Sequence, residues 1–403
     1  MSSAMSTVCK ASQPEQLQPP PLYTFGEPWP EFNDGLSYTD TVRSSQNATT
    51  LIDFYCSKYR SSAPLQGWLQ RIRNGQITID GIVVTDPEAV LSIGSKIIYH
   101  RMPWEEAGTP FMLQVLYEDD DIVAINKPSG LQVLPGGLFQ QRTVLTQLQW
   151  KSSKQGLICS TSQDVQRPYP VPVHRLGRGT SGILLCAKTK LAKTKLAEYF
   201  AVGTLAVGEN RMLGKNYGEA RKILKCYRAL VRGILEHDEI LIDQPIGLMQ
   251  YPGVAKGLYV ASSSGKPALS NVQVLEKDAL QNQTLVHVEI HSGRPHQIRI
   301  HLAFIGHPLV GDPLYQVGGR PNLLETETVK YSIPEDGGYQ RPARPVPGDC
   351  GYYLHAHMLV LRHPSTDKVI EIIAPLPSIL QTRQESYQNR ILGGTMKDEN
   401  ELQ

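Results

Sequence analysis

The residues richest in chemistry sit together at 171–182, Val-Pro-Val-His-Arg-Leu-Gly-Arg-Gly-Thr-Ser-Gly. An imidazole, two guanidinium groups and two hydroxyls are spaced by glycines, with no acid in the run. Gly177, Gly179 and Gly182 spell Gly-x-Gly-x-x-Gly, the spacing that lets backbone approach a dinucleotide pyrophosphate. That use requires a strand before the glycines, a helix opening from them and an acid about 20 residues further on. Here an apolar, strand-like run follows the glycines, and Glu198, the best acid nearby, falls inside the next helix. The nucleotide reading fails on context. His287, His291, His296, His301 and His307 crowd into 21 residues, and His287 and His291 would share one strand face, a geometry open to a metal pair. No cysteine or carboxylate completes a tetrahedral set at the usual spacing, so no metal is expected. Asp119, Asp120 and Asp121 precede a strand, where such a run is a turn rather than an acid–base pair.

Charge distribution points to a polyanion. The net charge of the 403 residues is only +2, yet between Val171 and Arg232 there are 13 Lys/Arg against 3 Asp/Glu. A basic zone inside a near-neutral chain is the footprint of a nucleic-acid partner. With 40% hydrophobic and 19% charged residues the composition is that of a globular protein long enough for two or three cores. No window approaches ~18 consecutive apolar residues, so no membrane partner is expected. Six scattered cysteines and no secretory signal read as reduced thiols. The compartment expected is cytoplasmic or nuclear, an organelle staying open, and monomer is the default.

These groups need elements to hold them. Residues 1–48 are polar with a triple proline and are expected to be disordered or loosely packed. Thr50 with Asp53 resembles a capping box opening a helix from Leu51 to about Tyr59. A second helix carries Pro64 in its first turn and an apolar stripe of Leu65, Trp68, Leu69 and Ile72, with Arg71 and Arg73 off it. Ile77–Val84 around Asp80-Gly81 reads as a tight hairpin. From Leu113 a larger domain begins, with strands at 122–127, 183–187, 225–232 and 284–291, the last alternating with period 2. Helices are expected from Lys190 to about Phe200 and after Pro295, with Ile298, Leu302 and Ile305 as the buried stripe of the second. Residues 202–222 and 317–351 read as loops.

The loop at 171–182 resembles the active-site loop of the RluA family of RNA pseudouridine synthases, whose pattern is His-Arg-Leu-Asp, two variable residues, then Thr-Ser-Gly. His174, Arg175, Leu176, Thr180, Ser181 and Gly182 match; Gly177 stands where the family has its catalytic aspartate. Further blocks resemble the family in order: Asn126-Lys127-Pro128 with Gly130, Lys225-x-Tyr227-x-Ala229-x-Val231-x-Gly233, the run from Gly293 to Tyr315, and "LHAHMLVLRHP" with "APLP" at 354–377. The resemblance implies an α+β fold, a catalytic domain with a central mixed, mainly antiparallel sheet preceded by a small RNA-binding module. The boundaries expected are 1–48 for the N-terminal segment, 49–105 for a module of ribosomal protein S-four type, 113–380 for the catalytic domain and 390–403 for a polar tail.

Pseudouridylation breaks the bond between uracil and ribose, turns the base and rejoins it through carbon 5. A base inside an RNA stack must first be flipped out. The resemblance implies that Arg175 fills the gap, that the residue at 177 acts on the sugar, that Tyr227 caps the site and that Arg299 is its cation. RNA contacts are expected from His174, Arg175, Lys127, Arg71, Arg73, Arg294 and His296. No cofactor is expected. Gly177 has no side chain, so a buried Arg299 is expected to lack its counter-charge, and no acid in the same loop replaces it. Two functions follow: a cofactor-free RNA pseudouridine synthase, or a catalytically silent RNA-binding protein on the same scaffold.

Overall fold

The computed structural model describes residues 21–43, 49–59, 62–154, 169–213, 223–251, 254–321 and 349–398. Nine strands of the 11-stranded central sheet follow the order Tyr23–Phe25, Leu113–Glu118, Ile122–Lys127, Ser181–Ala187, Leu354–Arg362, Ile223–Arg232, Gln283–Ile290, Leu269–Asp278 and Glu239–Asp243. The short strands Val171–Pro172 and Val369–Ile373 pair at the side. Strands Ile122–Lys127 and Ser181–Ala187 are buried on both faces. Val123, Ile125, Leu184 and Cys186 enter one core, while Ile122, Ala124, Ile183, Leu185 and Ala187 enter the other. Each Val, Leu or Ile among them contributes about 1.5–3 kcal/mol, and the alternation fixes the face to which each strand residue points.

One pairing in this sheet is parallel, His355 with Ser181 and Ala356 with Gly182, and it lasts for two residues. The chain can pass so closely only because Gly182 lacks a side chain: a Cβ there would lie 2.2 Å from the Ala356 carbonyl oxygen, and its φ is 102°. The 173–180 loop leads directly into this pairing at Ser181. Helix Gln297–Phe304 packs nearby, buried from Gln297 through Ala303 rather than along one stripe.

The small N-terminal domain has helices Leu51–Lys58 and Leu65–Arg73 on a four-stranded sheet. Thr50 caps the first helix, accepting from the Asp53 amide at 3.2 Å. Asp80 and Gly81 both take positive φ in the expected hairpin. Tyr55 stacks on Trp68 with centroids 4.2 Å apart. Arg71 was expected on the outer face but is 2% exposed, its guanidinium 4.6 Å from the Trp68 ring and 4.9 Å from that of Tyr99. Leu65 is exposed instead. A delocalised, weakly hydrated cation packs among aromatic faces, and hydrophobicity alone does not anticipate that.

Three other expectations change. Part of 1–48 is ordered: Tyr23–Phe25 joins the large sheet, Leu36–Thr41 joins the small one, and Phe25 and Trp29 pack on the main core. The helix from Lys190 runs to Leu213, through most of the stretch read as a loop from its glycines. The supposed polar tail is largely helix, Arg383–Asp398, anchored by Glu385 on the Arg228 guanidinium at 2.7 Å. Of the 317–351 loop, 322–348 lie outside the described residues. The linker between domains is pinned by Glu106, which accepts from Asn33 and from the amides of Gln140, Gln141 and Arg142, each at 2.8 Å.

Candidate active site

The 173–180 loop is held from both sides. From strand Ile122–Lys127 and its turn, the Gly130 amide and the Lys127 ammonium donate to the Arg178 carbonyl, at 2.8 and 3.1 Å, and Ser129 donates to the Gly179 carbonyl at 2.7 Å. Lys127 is 0% exposed and also donates to the Pro128 and Leu131 carbonyls. Burial pushes its pKa down to about 7. It cannot reach a phosphate, so the expected RNA contact is replaced by a structural one. His174 likewise turns inward: its Nε2 accepts the Leu185 amide at 2.9 Å and its ring stacks on Phe200. Burial, then the Lys225 charge, lowers its pKa to about 3, so it is a neutral pin rather than an RNA ligand. Arg175, between His174 and the buried Leu176, is exposed.

On the other side lies the segment entering strand Leu354–Arg362. A Cβ at Gly177 would meet the Tyr352 hydroxyl at 2.9 Å and Thr180 Oγ1 at 3.3 Å. A Cβ at Gly179 would lie 2.8 Å from the Asp349 carbonyl oxygen and 2.9 Å from Cys350 Cα. The tyrosine hydroxyl thus occupies the space that a side chain at 177 would leave through. Burial raises the Tyr352 pKa against the opposing charge of Arg299, so the hydroxyl stays protonated.

Arg299 projects from helix Gln297–Phe304, 2% exposed. Its expected lack of a counter-charge is corrected by Asp312, itself 0% exposed, which takes Nε and Nη2 at 2.7 Å each. Burial alone would lower the guanidinium pKa; the Asp312 hydrogen bond, together with the charge interactions of Tyr352, Asp312 and Tyr315, raises it instead. The guanidinium lies between two rings, 4.3 Å from the centroid of Tyr352 and 4.9 Å from that of Tyr315. Its Nη1 is buried without a hydrogen-bond partner among the described residues. Asp312 and Tyr315 lie in the quoted run from Gly293 to Tyr315 and Arg178 in the 171–182 loop, without a role assigned to them; Tyr352 and Asp349 carry no signal of their own.

His296 starts this helix in a left-handed conformation, φ 56°. The Tyr315 hydroxyl donates to the Tyr259 carbonyl at 2.9 Å, so the 2.9 Å contact with His296 requires a donor at Nδ1. Burial, then the charge of Arg299, lowers the His296 pKa to about 4. The neutral ring leaves Nε2 as an acceptor. Arg294 is half-buried, with Nε on the Pro267 carbonyl. Tyr227 lies in the sheet row Gly182, Ala356, Tyr227, Val288 and shares one buried cluster with Leu176, Ile298 and Tyr352. Burial raises its pKa. Arg73 is exposed on the small domain. His301 is spent on Ser270 and the Gln244 carbonyl. Among the described residues no three His, Cys, Asp or Glu side chains form a group able to hold a metal ion.

The sequence profile described as RNA pseudouridylate synthase matches residues 121–304. A protein of Oryza sativa subsp. japonica named RNA pseudouridine synthase 5 is 62% identical over 389 residues, 94% of this chain and 98% of its own length. An Arabidopsis thaliana protein of the same name is 62% identical over 371 residues, 91% and 100% of the two chains. Ribosomal large subunit pseudouridine synthase D of Pseudomonas aeruginosa is 31% identical over 339 residues, 81% and 90%.

Proposed function

This chain belongs to the RNA pseudouridine synthases, isomerases that turn uridine into pseudouridine in RNA, and we propose that Arg299, Tyr227 and Arg175 carry the reaction here. The observation that carries the assignment is the buried guanidinium of Arg299. It is oriented by Asp312, sandwiched by Tyr352 and Tyr315, and has a spare donor at Nη1. An unmade hydrogen bond from a buried charged donor costs about 1–3 kcal/mol or more, which a reacting group could recover on entry. A preorganised cation in a low-dielectric site acts on developing negative charge without reorganising.

Arg175, exposed at the mouth of the loop, takes the space of the flipped base. Tyr227 supplies the apolar wall against which the sugar and base turn, its hydroxyl protonated throughout. His296 contributes an acceptor and Arg294 a cation at the entrance. The exposed Lys190 and Lys193 extend the positive track for the RNA backbone. The small domain, through Arg73, holds RNA further from the reacting uridine. Free thiols such as Cys56 and Cys350 fit a reducing compartment, the cytosol or nucleus by default with an organelle still open, and a monomer is the default state. No described helix is long and apolar enough to cross a membrane.

The test is release of tritium from total RNA labelled at uridine C5, comparing wild type with Arg299→Lys. Lys keeps a charge but cannot hold the two-point contact with Asp312. Turnover by the wild type and a loss of about 10²-fold or more in kcat for the variant support the assignment. Equal rates would remove Arg299 from the reaction.

A further inference from the structure

The reaction needs a carboxylate at the sugar, and Gly177 cannot provide one. Two carboxylates, Asp312 and Asp349, lie within electrostatic reach of His296 at the site. Asp312 is committed: Oδ1 accepts from Arg299, Leu314 and Tyr315, Oδ2 accepts from Arg299, and the side chain is closed to solvent. Asp349 is different. Its Oδ1 accepts both Nε and Nη2 of Arg178, at 3.0 and 2.6 Å, while Oδ2 has no hydrogen bond to another described residue. The side chain is 47% exposed.

Its position follows from the glycines of the loop. Without side chains at 177 and 179, the 349–352 segment packs directly on the loop, the Asp349 and Cys350 backbone against Gly179 and the Tyr352 ring and hydroxyl against Gly179 and Gly177. A side chain at either position would push that segment away. We propose that Asp349, carried onto the loop by this close packing, is the catalytic carboxylate that position 177 lacks, with Arg178 as the residue that positions it. The proposal rests on the pseudouridine synthase reading and names the acid for it.

Burial would raise the Asp349 carboxyl, but the Arg178 hydrogen bonds and the charges of Arg178 and Arg299 hold it below the usual range. It is an ionised carboxylate at neutral pH. In the step assigned to it, the N1–C1′ bond of uridine breaks and its electron pair leaves on N1. A lone pair of Asp349 Oδ2 bonds to C1′. After the base turns, C5 bonds to C1′ and the carboxylate leaves with its pair. C5 then loses its proton and N1 gains one. Product and substrate are isomers, and the carboxylate is regenerated.

The experiment uses the full chain and total RNA tritiated at uridine C5. Wild type is compared with Asp349→Asn, Asp349→Glu, Arg178→Met, and Asp349→Gly with and without sodium formate. RNA affinity is read in parallel by filter binding. The expected result is a fall of about 10³-fold in kcat for Asp349→Asn with RNA affinity within about 3-fold, and about 30-fold or less for Arg178→Met. Formate restores part of the Asp349→Gly rate, saturably, and Asp349→Glu retains more than Asp349→Asn. Formate rescue separates a missing carboxylate from a misfolded loop. An active wild type with Asp349→Asn above a tenth of its rate overturns the proposal but leaves the family function intact. So does an Arg178→Met loss equal to that of Asp349→Asn with no formate rescue, which would make Asp349 merely the partner of Arg178. A wild type that binds the RNA and releases no tritium overturns the pseudouridine synthase reading itself.

Discussion

Arg299 and Asp312 meet at two points, Nε on Oδ2 and Nη2 on Oδ1, both 2.7 Å, with each side chain closed to solvent. The pair aims the guanidinium. Removing one partner strands the other charge in a low-dielectric site, at a cost of about 3–5 kcal/mol. Asp312→Ala is therefore expected to lose about that much stability in urea unfolding, together with turnover. Arg299→Met combined with Asp312→Leu should recover most of the stability and none of the activity. A double variant as unstable as Asp312→Ala would show that packing, not charge, sets the cost.

Gly177 is expected to resist any side chain, aspartate included, because the Tyr352 hydroxyl stands 2.9 Å from where Cβ would be. Gly177→Ala should destabilise by about 1–3 kcal/mol. The obstructing atom is the hydroxyl oxygen, so Tyr352→Phe should relieve part of that loss. Thermal melts of the two single variants and the double variant give the coupling, expected above about 0.5 kcal/mol. Additive effects would place the strain elsewhere.

Lys127 and Arg175 are neighbours of the same loop with opposite expected behaviour. Lys127→Met removes the ammonium donor from the carbonyls of Pro128 and Leu131, while the Arg178 carbonyl keeps the Gly130 amide, and should cost about 2 kcal/mol, with little change in RNA affinity. Arg175→Ala should leave the melting temperature unchanged and lower kcat/KM. Salt-dependent loss of RNA binding in Lys127→Met would contradict its placement inside.

Buried histidines set the acid limit. His174 and His355 titrate at about 3, and His296, His301 and His357 at about 4, against about 6.5 in an unfolded chain. Burial is the first cause in each. Between those values the unfolded chain binds more protons than the folded one. Stability from these groups is thus complete above about pH 6.5 and is lost as pH falls toward 4, by at most about 1.4 kcal/mol per pH unit per histidine. His174→Gln keeps an acceptor for the Leu185 amide and should flatten the slope between pH 6.5 and 4.5. An unchanged slope would mean that His174 protonates freely in the folded protein.

Strands and family blocks were legible in the sequence because they rest on short-range signals: the alternation of Val286, Val288 and Ile290, and the Asp80-Gly81 turn. The burial of Arg299 also followed from those blocks. Contacts across the chain were not legible. Nothing local to Tyr352 or Asp349 says that they pack on Gly177 and Gly179, 170 or more residues earlier. Lys127, His174 and Arg71 carry the residue types of RNA ligands, and only burial reveals them as internal pins. Ranking residues by type overestimates surface function wherever long polar side chains find partners inside.

The most direct measurement is nucleoside chromatography of total RNA after incubation with the purified protein, since pseudouridine and uridine have equal mass and separate by retention. A time-dependent gain of pseudouridine matched by loss of uridine, abolished in Arg299→Lys, is the predicted result. RNA that is bound and recovered with its pseudouridine content unchanged would contradict catalysis by this site and leave a binding protein on a pseudouridine synthase scaffold.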